Sequence, residues 1–67
     1  MKTIDLKLKK YVFEMLANAV ENGYEDFLKT HSDVEVAEDL QGSDSELEQI
    51  ETAELAVIVS LWQGGER

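Results

Sequence analysis

Cysteine and proline are both absent from this chain, histidine occurs once, and basic residues number 6 against 15 acids. Without cysteine there can be no disulfide and no thiolate-bound metal. The lone His31 excludes a His-pair metal site. No apolar run reaches the ~18 residues that a membrane span requires. The opening MKTIDLKLKK lacks the continuous apolar core of a secretory signal. A soluble cytoplasmic protein is therefore expected. What is present is a 67-residue chain with four glycines and 43% hydrophobic residues, the composition of a folded domain rather than a disordered segment. It reads as one domain, 1–67, near the size at which a single core only just suffices.

The net charge of −9 is unevenly placed. Residues 1–20 are net basic at +2, residues 21–54 carry −11 with Lys29 as their single cation, and residues 55–67 are neutral. Self-repulsion of this kind costs stability. It also disfavours direct binding to nucleic acid or to an anionic membrane, since both are repelled by such a surface.

Apolar residues at Ile4, Leu8, Tyr11, Val12, Met15, Leu16 and Ala19 follow helical spacing and predict a first helix from Thr3 to Asn22, ended by Gly23. Leu6, Phe13, Ala17 and Val20 widen the stripe, so most of this helix should be covered. Tyr24 to Lys29 can form a short turn burying Tyr24, Phe27 and Leu28. Ser32 with Glu35 fits a capping box opening a third helix, Asp33 to Gln41, which buries Val34 or Val36 with Ala37 and Leu40 and stops at Gly42. Ser43 with Glu46, or Ser45 with Glu48, offers a second box for a last helix that runs to Gln63 and is halted by Gly64-Gly65. That helix shows two apolar faces, one of Ile50, Ala53, Val57 and Leu61, the other of Leu55, Ile58, Val59 and Trp62. The expectation is an all-α bundle of three to four short helices. The alternative is an α+β fold in which residues 3–8 pair with 55–62 as a two-stranded sheet, a poor structure by itself.

No catalytic or cofactor motif is present. General acid–base chemistry needs carboxylates held in a cleft with shifted pKa values, and a domain this small has little room for a cleft. There is no Gly-rich phosphate loop and no Ser/His/Asp set, so neither an enzyme nor a cofactor is expected. His31 lies in a polar loop and reads as a surface residue. An EF-hand starting at Asp39 would put Gln41 third, Asp44 sixth and Ile50 twelfth, which fails the ligand pattern. No metal site is expected.

Gly42-Ser43-Asp44-Ser45-Glu46-Leu47 resembles the Asp-Ser-Leu site of acyl carrier proteins. That resemblance would make Ser45 the phosphopantetheine carrier. It covers about six residues, with Glu46 where the family has leucine. Two serines in a capping box account for the same residues.

The stronger signal is the band of acids. Glu48, Glu51 and Glu54 would lie on one helical ridge, and Glu35, Glu38 and Asp39 on another. Like charges at such spacings cost about 0.2–0.5 kcal/mol per pair, and the basic first 20 residues argue against whole-chain adaptation to salt. In size, pI near 4.3 and clustered acids the chain resembles the small acidic DNA-mimic inhibitors of phages and mobile elements, anti-CRISPR proteins among them. The resemblance implies a non-enzymatic inhibitor in a bacterial cytoplasm. Its partner would be a nucleic-acid-binding protein with a basic groove, contacted through Glu35, Glu38, Asp39, Asp44, Glu48, Glu51 and Glu54. The competing expectation is a structural or regulatory helical module that associates, for example as a homodimer, through an apolar face around Leu55, Ile58 and Trp62.

Overall fold

The computed structural model describes residues 5–66, the side chain of Glu66 aside. Four α-helices follow one another: α1 Leu6–Glu21, α2 Glu25–Thr30, α3 Asp33–Ser43 and α4 Thr52–Leu61. A 3-10 turn, Leu47–Gln49, links α3 to α4, and a wide final turn, Trp62–Glu66, closes the described chain. The fold is an all-α bundle, and no strand occurs among the described residues. Residues 6–8 and 55–61 are helical, which removes the two-stranded sheet.

Asp5 starts α1, its carboxylate accepting from the backbone N–H of Lys7 at 2.9 Å and of Leu8 at 3.2 Å. The helix therefore begins after the expected Thr3, and positions 3 and 4 lie outside the described residues. Gly23 follows the cap at Asn22 with φ +94°, the left-handed geometry that glycine adopts without steric cost. The broad buried face expected of α1 is narrower in the structure. Val12 and Leu16 are fully buried, Leu8, Phe13, Met15 and Val20 pack partly against the core, and Leu6 and Tyr11 are exposed.

The capping box at the start of α3 forms as the sequence indicates. Ser32 Oγ accepts from the N–H of Glu35, and the Glu35 carboxylate accepts from the N–H of Ser32 at 3.1 Å. Gly42 does not end α3; the helix continues to Ser43, and the break falls at Asp44, which is extended (φ −136°, ψ 115°). The long last helix is divided as well. Neither Ser43 nor Ser45 caps it. Asp44 Oδ1 accepts from the N–H of Glu46 at 2.9 Å, the 3-10 turn follows, and Ile50 and Glu51 are extended before α4 starts at Thr52.

Gln41 holds this break open. Its Nε2 donates to the carbonyls of Ile50 at 2.7 Å and Leu47 at 3.3 Å, while its Oε1 accepts from Thr52 Oγ at 3.0 Å. The Ile50 carbonyl, which a continuous helix would have paired internally, is thus paired by a side chain, and the Leu47 carbonyl, which accepts from the N–H of Ile50 at 3.1 Å, receives a second bond. The break also turns Leu47 into the core, where it is 1% exposed.

The core joins Val12 and Leu16 of α1, Leu28 of α2, Val36, Ala37 and Leu40 of α3, Leu47, and Leu55, Ala56, Ile58, Val59 and Trp62. Val36, rather than Val34, is the buried valine of α3. Only one of the two apolar faces expected on α4 is buried. Val57 is 49% exposed and Ala53 is exposed, while Leu61 and Ile50 are half-buried. Phe13 meets Trp62 edge to face with ring centres 5.1 Å apart, an arrangement worth about 0.5–1.5 kcal/mol beyond burial. Helices α3 and α4 lie side by side. Gln41 bonds to Thr52 at one end, and at the other Gln63 Nε2 donates to the carbonyls of Leu28 at 3.0 Å and His31 at 3.2 Å. Among the described residues no helix is long and apolar enough to cross a membrane.

Candidate functional site

The seven acids singled out from the sequence fall on consecutive elements of the chain, from α3 to the first turn of α4. Glu35, Glu38 and Asp39 project from α3, and Asp44 ends it. Glu48 lies in the 3-10 turn, Glu51 stands just before α4 without a side-chain capping bond, and Glu54 sits in the first turn of α4. Five are exposed, and Asp44 and Glu54 are half-buried. Because the last helix is interrupted, Glu48, Glu51 and Glu54 do not form a helical ridge. Glu48 and Glu51 instead flank an open hollow of about 430 Å³, which Gln41, Gln49, Ile50 and Thr52 also line.

Part of this acidity has a local cause that the sequence pattern did not separate out. Asp5, Glu25, Asp26, Asp33, Glu35, Glu51 and Glu54 all stand at a helix start or in a first turn. There the positive end of the helix dipole favours an anion by about 0.3–1 kcal/mol each. Position within each helix, rather than spacing alone, is the signal that identifies them. Serine, threonine or asparagine would cap as well without adding charge. Helix starts therefore explain where these acids sit better than why there are so many.

Counter-charge is scarce. Lys29, the single cation of residues 21–54, pairs with Glu25 at 3.1 Å four residues back along α2. None of the seven acids has an ion-pair partner among the described residues. Lys9 lies over the Phe13 ring, 5.4 Å from its centre, on α1.

Two tyrosines, which sequence spacing assigned only to packing, reach this acidic stretch. The Tyr11 hydroxyl of α1 donates to Asp44 Oδ2. The Tyr24 hydroxyl, at the head of α2, donates to Asp39 Oδ2 at 2.7 Å. Donation to Asp44, with burial and the nearby charges of Asp44 and Glu46, pushes the Tyr11 phenol up to about 12. The same bond, helped by the N–H of Glu46, holds the Asp44 carboxyl below the usual aspartate range. Tyr24 is raised by burial first and by Asp39 second. Glu35 is lowered by the N–H and hydroxyl of Ser32.

His31 is half-buried rather than a plain surface residue. Its ring stacks on Phe27 with centres 3.8 Å apart and planes 12° from parallel, and Nδ1 lies 3.1 Å from the Phe27 carbonyl. With Glu25, Leu28, Lys29, Trp62 and Gln63 it lines a second hollow of about 400 Å³. Ser45 sits in the exposed turn ahead of Leu47–Gln49, not at the head of an α-helix as the carrier-type resemblance implies. Leu55, Ile58 and Trp62 are all buried, so the apolar docking face expected around them is part of the core. Among the described residues no cluster of three or more His, Cys, Asp or Glu side chains is arranged to hold a metal ion.

No family model matches the chain, and neither a curated protein nor a solved structure is significantly similar to it.

Proposed function

We propose that this chain is a binding protein that presents the acidic stretch from α3 to the start of α4 to a basic, nucleic-acid-binding site on another protein, blocking it as a DNA mimic does. The observation that carries this reading is the missing counter-charge. Seven carboxylates, five of them exposed, have no ion-pair partner among the described residues, and the one lysine of residues 21–54 is engaged by Glu25. A surface selected only for solubility does well with both signs interspersed, and a small domain gains from avoiding a large field of one sign. Duplex DNA carries about one negative charge per 1.7 Å of axis. A protein groove lined with lysine and arginine to receive it finds the same complement in exposed carboxylates. Such a surface gives its largest benefit to the rate of encounter and to partner choice.

The test uses a deca-arginine peptide as a stand-in for a basic groove, followed by a pull-down at low salt eluted with rising salt. Affinity should fall steeply with salt, and neutralising Glu35, Glu38, Asp39, Glu48, Glu51 and Glu54 to their amides should abolish it. Captured partners should be nucleic-acid enzymes that nucleic acid displaces. Charge-neutral variants that still captured the partner would refute the reading.

A further inference from the structure

Helix α4 differs from the other three on its solvent side. Glu54 is the only charged residue among its ten, and the residues it leaves exposed are Ala53, Val57 and Ser60. Ile50 and Leu61, both half-buried, extend Ala53 and Val57 into an apolar strip. Acids border this strip at one end only. Glu54 lies beside it in the first turn, and Glu48 and Glu51 flank the hollow that Ile50 helps to line.

The start of α1 has the opposite make-up. Leu6 is 75% exposed, more than any other large apolar side chain among the described residues. Lys7 and Lys10 stand within one turn of it, both exposed and neither in an ion pair among the described residues. Glu48, Glu51 and Glu54 lack an ion pair as well. An uncovered leucine beside two spare cations therefore matches an uncovered apolar strip beside three spare anions. Within one copy the two do not meet, since Leu6 and Val57 both face solvent.

We infer that the outer strip of α4 is a docking site for the start of α1 of a second copy. Leu6 packs on Ile50, Ala53 and Val57, and Lys7 and Lys10 reach Glu48, Glu51 and Glu54. Charge selects this occupant: residues 1–20 carry +2 and residues 21–54 carry −11, so α1 brings counter-charge that α4 laid against α4 does not. Whole-molecule repulsion is screened beyond about 8 Å at 0.15 M salt, while groups in contact are screened less. The contact uses a different face on each copy, so association continues past the dimer. Ten residues of helix span only about 15 Å, which puts the interface at the small, weak end of the range. Docking of this kind does not depend on the inhibitor reading.

Sedimentation velocity of the full chain at 0.15 M salt, from about 0.01 to about 1 mM, is the test. The mean sedimentation coefficient should climb with concentration. Leu6→Ser removes the docking side chain and Val57→Asp spoils the strip, so each variant alone should stay monomeric. Mixed, the two should form a 1:1 dimer and stop there, because the first still offers α4 and the second still offers Leu6. Lys7→Glu with Lys10→Glu should weaken association about tenfold or more. Circular dichroism establishes folding, and if Val57→Asp is unfolded, Ala53→Asp replaces it, an acid in a first turn where the helix dipole favours one. A parent that stays monomeric throughout, a Leu6→Ser chain that associates like the parent, or a mixture that forms no dimer would overturn the docking. The inhibitor reading is decided separately, by the affinity of dilute protein for deca-arginine.

Discussion

Thr52 Oγ donates to Gln41 Oε1 at 3.0 Å, and through this bond the first residue of α4 is fastened to the last turn of α3. The same glutamine also serves the carbonyls of Leu47 and Ile50, so it satisfies both sides of the chain break. Gln41→Ala should destabilise the fold by about 1–3 kcal/mol, the cost of taking the partner from the Ile50 carbonyl and the Thr52 hydroxyl, while the Leu47 carbonyl keeps the N–H of Ile50 at 3.1 Å. Thr52→Val removes one of these bonds and should cost only about 0.5–1.5 kcal/mol. Urea unfolding of both variants gives the comparison. Equal losses would mean that Gln41 acts only through Thr52.

Two glycines should respond in opposite directions. Gly23 lies at φ +94° with nothing within 4 Å of an added Cβ, so Gly23→Ala is opposed by backbone conformation alone and should cost about 1–2 kcal/mol. Gly42 is inside α3, not at its end, and has the same open space without a positive φ. Gly42→Ala should therefore stabilise by about 0.5–1 kcal/mol through the lower entropy of the unfolded chain. Thermal unfolding of the two variants measures both signs.

That contrast shows which parts of the fold were legible in the sequence. The Gly23 stop, the Ser32–Glu35 capping box and the buried stripe Leu55, Ile58, Val59, Trp62 are set by residues within one or two turns of each other, and all three stand in the structure. The end of α3 and the start of α4 are not local. They depend on a glutamine reaching 6, 9 and 11 residues ahead and on Asp44 turning its carboxylate to the N–H of Glu46. A period of 3.6 residues carried through that region makes Glu48, Glu51 and Glu54 look like one ridge, and the break disperses them. The acidic stretch itself was visible as composition. Which carboxylates accept a tyrosine hydroxyl was not, because a phenol 33 residues away leaves no mark on local spacing.

The Tyr11–Asp44 bond makes stability depend on pH at both extremes. Asp44 is depressed in the folded chain, so its contribution is present above the ordinary aspartate value of 3.8 and is lost as pH falls through the lower folded value. Tyr11 is raised, so its contribution is complete below pH 10.0 and is lost as pH rises toward about 12. Tyr11→Phe should flatten the alkaline loss and shrink the acid one. Tyr24 is raised too, and its pairing with Asp39 keeps part of the alkaline dependence in that variant. Chemical denaturation of the parent and Tyr11→Phe across both ranges tests the assignment, and superimposable curves would contradict it.

Salt should act on folding and on binding with opposite signs. A chain of net charge −9 with one lysine in residues 21–54 repels itself when folded, and screening relieves that repulsion. Between about 0.01 M and 1 M sodium chloride the Debye length shrinks from about 30 Å to about 3 Å, so the thermal midpoint should climb across this range. Affinity for deca-arginine should fall over the same interval, because the field that destabilises the fold is the one that attracts the cation. Replacing Glu48, Glu51 and Glu54 by glutamine should reduce both slopes together. Were the stability slope to shrink while the binding slope stayed put, those three acids would be a source of self-repulsion with no part in attracting a partner. The field would then have to come from α3 alone.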